Sequence, residues 1–431
     1  MNAWPVRAAV AWMILLLMAS SISISFAQEN VLTLDQIVET AIHKNPGITI
    51  SQQEVEASRA RVTQATSAYY PQVSAVTGYN RLNQWNTNVF TQMDFRGQYD
   101  YYQMGVSVSQ YLYDFGQTSG KVDSSRYSLS ASEKGVVKTI ADTVRDTKKI
   151  YYEVLKRQNL VKVSQESIRI QEEHLNQAKA FYQAGIRPKI DVTKSETEYA
   201  SSRLNLIRAE FALQASRYDL ETLLGGPPVS GPYALADVAI QTTAEMMEVE
   251  TLIREAGDRR PEIAVIKDLI KATQALLKSS EAVHWPSITA NAAGSLENNE
   301  FPLQDYWQMG VNISWPLFTG FRIQGKIAEF RAEVDKLTAR LKQAELQVLN
   351  EVSVAYLGLN ASIEAIVTSE QAVKQAQENM DLADGRYRNG VGNAIEYSDA
   401  ELALTQAKSN LVLTAYQYHQ QVAELDHAVG R

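Results

Sequence analysis

The mature part of this chain is written twice. Asn45, Pro46, Gly47 and Ile48 correspond to Arg260, Pro261, Glu262 and Ile263, and Tyr69, Tyr70, Pro71 and Gln72 to His284, Trp285, Pro286 and Ser287, at one offset of 215 residues. Met104, Gly105, Val106, Leu112, Gly120 and Lys121 then meet Met309, Gly310, Val311, Leu317, Gly325 and Lys326 at an offset of 205, and Tyr182 and Gly185 meet Tyr387 and Gly390 without another gap. A repeat this long is a duplicated structural unit and predicts pseudo-symmetry within one protomer. The organisation expected is a leader at 1–27, a first repeat at 28–225, a linker at 226–247 and a second repeat at 248–431.

Met1 to Ala27 carries Arg7, an apolar run from Ala8 to Met18, and Ser25 and Ala27 where a signal peptidase reads small residues. This predicts a bacterial secretory signal. Its apolar core is short of the roughly twenty residues that span a bilayer, and no later run reaches that length, so no transmembrane helix is expected after cleavage. Cysteine is absent, which removes disulfides, thiolate metal sites, a cysteine nucleophile and a lipidated cysteine. The formal charge is −8, and an acidic chain argues against nucleic acid as a partner. At 45% hydrophobic and 21% charged residues, the composition excludes wholesale disorder.

Within each repeat the pattern runs strand, strand, long helix, long helix. Met309, Val311, Ile313 and Trp315 alternate with Gln308, Gly310, Asn312 and Ser314, as Met104, Val106 and Val108 do with Gln103, Gly105, Ser107 and Ser109. Period two of this kind predicts half-buried strands. Two further strands are expected at Pro71 to Arg81 and Pro286 to Leu296. A soluble hairpin domain and a set of tilted outer-membrane strands both fit; aromatics at the strand ends, among them Tyr69, Tyr79, Tyr113, Trp285 and Trp307, favour the membrane. Open sheet edges are not tolerated in lipid and a closed barrel takes at least about eight strands, so four per chain demand an oligomer. The ten extra residues of the first repeat fall between Arg81 and Tyr101 and predict the longer of two surface loops.

From about Gln117 to Gln183 and from Phe321 to Asn389 there is no proline and almost no internal glycine. Each stretch predicts a helix of roughly 100 Å at the α-helical rise. Gly185 and Gly390 end these helices, and a second helix returns from each. Ala200, Leu204, Ile207, Phe211, Ala215 and Tyr218, and likewise Leu404, Ala407, Leu411, Ala415, Tyr418, Val422 and Leu425, recur at coiled-coil spacing and predict one narrow buried stripe on each returning helix.

A leader, two copies of strand-strand-helix-helix and hairpins turning at a Tyr-x-x-Gly resemble the TolC-like outer-membrane efflux family over nearly the whole mature chain. The resemblance implies an α+β membrane protein: a homotrimer whose chains share a 12-stranded outer-membrane β-barrel continued by a periplasmic α-helical coiled-coil tunnel. It implies an exit duct of a tripartite efflux or type I secretion system, lying in outer-membrane lipid. Its partners would be a periplasmic adaptor (membrane fusion) protein and an inner-membrane pump of RND, ABC or MFS type. The matching adaptor-contacting tips are Ala184, Gly185 and Ile186, and Asn389, Gly390 and Val391. Glu396 and Asp399 match an acidic ring at the periplasmic aperture, and Asp191 and Tyr387 match members of a tip lock. The family's lock arginine is replaced by Gly392, with Arg187, Lys189 and Arg388 as the cations at hand. A structural coiled-coil envelope protein without a continuous pore is the other class of function that the pattern allows.

Enzymatic chemistry finds no foothold. Gly320 to Lys326 has the glycine and lysine spacing of a phosphate loop, but Ile327 stands where a Ser or Thr is required. The five histidines lie in scattered elements without metal-ligand or triad spacing, and no cofactor is expected.

Overall fold

The computed structural model describes residues 30–88, 93–229, 232–238 and 248–431. The expected leader at 1–27 lies outside these residues, as does part of the expected linker. In chain order the elements are β1 (Asn30–Leu32), α1 (Leu34–Lys44), α2 (Pro46–Thr66), β2 (Gln72–Asn88), β3 (Met93–Tyr113), α3 (Gln117–Gln183), α4 (Lys189–Leu224), β4 (Tyr233–Leu235), α5 (Val249–Arg259), α6 (Pro261–Ala282), β5 (Ser287–Asn298), β6 (Gln304–Ser314), α7 (Arg322–Arg388) and α8 (Ala394–Val429). The duplication is numerical as well as topological: α3 and α7 each have 67 residues, and α4 and α8 each have 36. Pro46 and Pro261 open the second member of each short helix pair, where a missing N–H costs nothing and the proline ring ends the helix before it.

Packing divides the chain into two compact units that cut across the repeats. Among the described residues, the first gathers 30–45, 146–229, 232–238 and 362–420. Here β1 and β4 pair in parallel, Asn30 to Leu32 against Tyr233 to Leu235. Thr33 and Gln36 form a reciprocal capping box that starts α1. Ile37, Ala41, Tyr151, Leu155, Leu220 and Leu224 form the core beneath. The segment after β4 is tied down by polar bonds, since the Tyr416 hydroxyl donates to Asp237 at 2.8 Å and the Tyr151 hydroxyl to the Ala236 carbonyl at 2.6 Å.

Among the described residues, the second unit gathers 46–88, 93–145, 248–361 and 421–431. Its helical core is Leu252, Ala256, Ile263, Val348, Val352, Ala428 and Val429. Buried Arg260, at the break between α5 and α6, meets Glu351 at 2.6 Å and the His427 carbonyl at 3.1 Å, so a desolvated cation has its partners. His427 Nε2 donates to the Asp142 carboxylate at 2.8 Å, and burial lowers the imidazole pKa despite that carboxylate.

The same unit holds a four-stranded antiparallel sheet in the order β2-β3-β5-β6. Its registers place Val73 opposite Val108, Ala75 opposite Val106, Val108 opposite Ala292, Ala292 opposite Met309, and Ile288 opposite Ile313. Directly opposed residues share a face, so one face is apolar across all four strands. The other face carries Ser74, Ser107, Ser109, Asn291, Gln308 and Asn312, with Ser74 and Ser107 hydrogen-bonded across the strands at 2.8 Å. Every residue of β6 is exposed, Met309 at 75% and Ile313 at 69%, and among the described residues β2 and β6 are free edges.

Three expectations change. Among the described residues, the extra length of the first repeat extends the hairpin: β2 and β3 stay in register from Arg81 against Asp100 out to Asn88 against Met93, and the part of the expected loop at 89–92 lies outside the described residues. Backbone pairing extends the ladder through this stretch, which holds only one glycine, Gly97, and no proline. The second change concerns the helical stripes. On α8, Leu404, Ala407, Ala415 and Tyr418 are buried as expected, whereas on α4 Leu204, Ile207, Phe211 and Tyr218 are exposed, Phe211 at 75%. Moreover, α7 contains one stretch long and apolar enough, by length and composition alone, to cross a membrane, which amends the expectation that none follows the leader. That stretch is largely unburied within the chain, and Leu346, Leu349, Val354 and Leu357 of α7 are all exposed.

Candidate functional site

The two hairpin turns are built alike. At the first, Gly185 takes φ of 72° and the Ile186 and Arg187 amides both donate to the Phe181 carbonyl, at 2.9 and 3.3 Å. At the second, Gly390 takes φ of 75° and the Val391 and Gly392 amides both donate to the Arg386 carbonyl, at 3.0 and 2.9 Å. A left-handed residue after the last helical turn satisfies carbonyls that the helix leaves open, and glycine takes that conformation without strain. Ala184, Gly185, Ile186, Asn389, Gly390 and Val391 are all exposed, so both turns present backbone and small apolar side chains to solvent.

Behind the turns the symmetry breaks. Tyr182 is 46% exposed, while its counterpart Tyr387 is fully buried. Tyr387 and Tyr397 enclose His174, whose ring stacks on Tyr397 with centroids 3.9 Å apart and planes 9° apart. Neither imidazole nitrogen has a hydrogen-bond partner, and burial with Lys194 nearby pushes the His174 pKa down to about 4. The ring is therefore neutral at neutral pH and acts as a flat aromatic filler. One turn further along α8, buried Glu401 accepts from Ser167 at 2.7 Å, Gln171 at 2.8 Å and Thr405 at 2.9 Å, which offsets its desolvation.

Asp191 and Tyr387 come near one another but are not joined. The Tyr387 hydroxyl makes no hydrogen bond, and its pKa is raised by burial first and by the Asp191 charge second. The contact between the turns is made by Arg187, whose Nη2 donates to the Gly392 carbonyl at 2.5 Å and whose guanidinium lies over the Tyr387 ring at 5.1 Å. Gly392 itself is buried, and a Cβ there would meet Arg386 Cβ and the Tyr387 amide nitrogen, each at 3.0 Å. Lys189 is exposed on the first turn of α4, and Arg388 is engaged by Asp384 at 2.9 Å.

Glu396 is the third residue of α8, and the Asn393 side chain caps the helix by accepting from its amide at 2.8 Å. Its carboxylate is not free: Arg386 Nε donates to it at 2.7 Å. Asp399, one turn on, is exposed. The resemblance singled out both acids, whereas no signal in the sequence pointed to Arg386, His174 and Tyr397 behind the turn. The spacing of Arg386 and Glu396 across a turn belongs to no helical pairing rule, and nothing in period or composition distinguishes His174 from a surface histidine.

Comparison with known proteins agrees with this architecture. The profile of the outer membrane efflux protein family matches residues 37–226 and 252–431. The probable efflux pump outer membrane protein TtgC of Pseudomonas putida is 24% identical over 88% of this chain and 79% of its own length. The outer membrane protein TolC of Vibrio cholerae is 23% identical over 92% of this chain and 90% of its own. Among solved structures, the outer-membrane channel OprN superposes with a TM-score of 0.82 at 19% identity, covering 92% of this chain and 89% of that one. The outer membrane protein VceC of Vibrio cholerae superposes with a TM-score of 0.79 at 18% identity, covering 92% and 96%.

Proposed function

The chain belongs to the outer membrane efflux protein family, and from that premise we propose that three copies form the outer-membrane exit duct of a tripartite efflux or type I secretion system. The observation that carries this is the sheet, with one face apolar across four strands, the other polar, and two free edges. Lipid satisfies the apolar face and a watery lumen the polar one, and closure of the edges removes unpaired backbone from the bilayer. Three chains of four strands give a barrel of twelve. The bare stripe on α4 and the exposed apolar side chains of α7 are unlike surfaces. Unlike surfaces that pair head to tail close into a ring, which favours a cyclic trimer with helices continuing the barrel into the periplasm. This also gives the apolar stretch of α7 a protein neighbour in place of lipid.

Conduction through such a duct is passive, and the energy comes from an inner-membrane pump. The exposed turns at 184–186 and 389–391 are the surfaces offered to a periplasmic adaptor, with Glu396 and Asp399 next to the second turn at the aperture. The test is purified full-length protein in detergent and then in planar bilayers. A trimeric native mass and discrete single-channel currents are expected; a folded trimer without current would favour a structural coiled-coil envelope protein.

A further inference from the structure

We propose that Arg386 sets the ion selectivity of the aperture by pairing with Glu396 within each protomer, leaving Asp399 as the carboxylate that meets conducted ions. This rests on the reading of the chain as a duct. Arg386 Nε lies 2.7 Å from Glu396 Oε1 across the second turn, with both side chains about half exposed, at 54% and 40%. Each end of the pair is held independently. Glu396 is fixed at the third position of α8 by the Asn393 cap, and the Arg386 carbonyl receives both the Val391 and Gly392 amides. The neighbouring cation is taken, since Arg388 pairs with Asp384.

At Gly392 the backbone packs closely on the residue that carries the cation. A side chain at 392 would begin 3.0 Å from Arg386 Cβ and from the Tyr387 nitrogen, so the turn would have to shift to admit one. Two carboxylates and one guanidinium leave each protomer with one net negative charge at the aperture. A ring of three such sites attracts cations more weakly than six free carboxylates, and a selectivity ring reads net charge at close quarters. Each duct would thus carry a tempered preference for cations.

The experiment is the reversal potential of full-length trimer in planar bilayers under a salt gradient, for wild type, R386Q, R386K, E396Q, D399N and R386Q/E396Q. R386Q is expected to raise the cation-to-anion permeability ratio by about two- to threefold, the scale of one partly exposed charge. E396Q and D399N should each lower it, R386K should stay near wild type, and R386Q/E396Q should return to wild type because one carboxylate per protomer remains. If R386Q conducts with wild-type selectivity, the proposal is overturned whatever D399N does. Should R386Q not assemble, R386Q/E396Q against E396Q decides: a permeability ratio higher in the double variant than in E396Q upholds the proposal, and equal ratios overturn it. Absence of current from folded wild-type trimer would instead overturn the duct reading itself.

Discussion

Arg187 and Gly392 occupy equivalent places in the two repeats, 205 residues apart, and the guanidinium of the first donates to the carbonyl of the second at 2.5 Å. The duplication has been turned into a contact between its own copies. Removing it should loosen the turns: Arg187→Ala is expected to raise resting single-channel conductance, with a loss of about 1 kcal/mol for the hydrogen bond. Arg187→Lys should keep part of the effect. Unchanged resting conductance in Arg187→Ala would show that the turns are held elsewhere.

Restoring a side chain at 392 should harm the protein. Gly392→Ala places a methyl group 3.0 Å from Arg386 Cβ, and the turn must shift to admit it. A cost of about 1–3 kcal/mol is expected from overpacking, with Gly392→Arg costing at least as much. Thermal melting of the trimer checks the direction; a variant as stable as wild type would mean the turn yields freely.

Phe211, exposed at 75% in one chain, should be an anchor between chains. Burying a phenylalanine side chain is worth about 1.5–3 kcal/mol, and the effect recurs at each interface of a ring. Phe211→Glu is therefore expected to yield mostly monomer by native mass at concentrations where wild type is trimeric. A trimer as stable as wild type would remove α4 from the interface.

His174 gives the molecule an acid sensitivity with a defined sign. Its folded pKa is about 4, below the unfolded value of 6.5, so the unfolded state binds more protons between those values. Stability therefore rises with pH through that window and is lost as pH falls from 6.5 toward 4, by up to about 3 kcal/mol. His174→Phe keeps a ring against Tyr397 and should flatten this part of the profile relative to wild type, read as melting temperature against pH. An identical slope in both proteins would assign the sensitivity to other groups, such as His427.

Much of the fold was legible because it is repetitive. Helices of 67 and 36 residues recur in both copies where proline is absent, and the turns fall at Gly185 and Gly390. Periodicity identified the stripe on α4 but could not say which chain covers it, since a seam reads the same within and between protomers. The stretch rich in Asn, Gln and aromatics after Arg81 read as a loop by composition, yet register with β3 carries it as strand. Strands β1 and β4, three residues each and some 200 residues apart, are too short to show any period. Glu396 and Asp399 were singled out through the resemblance, whereas Arg386, the partner of Glu396, depends on how the turn folds back.

The sheet with two bare edges also bears on how the protein is made. If the barrel closes between copies as proposed, then until it does each chain displays the edges of β2 and β6 beside an apolar face, which is a template for adhesion to any extended polypeptide nearby. On that reading closure needs other chains, so its rate depends steeply on local chain concentration, while off-target sticking competes with it. Yield should then be limited by how fast chains find one another, and a modest slowing of that encounter would be seen as degraded chain before any defect in transport.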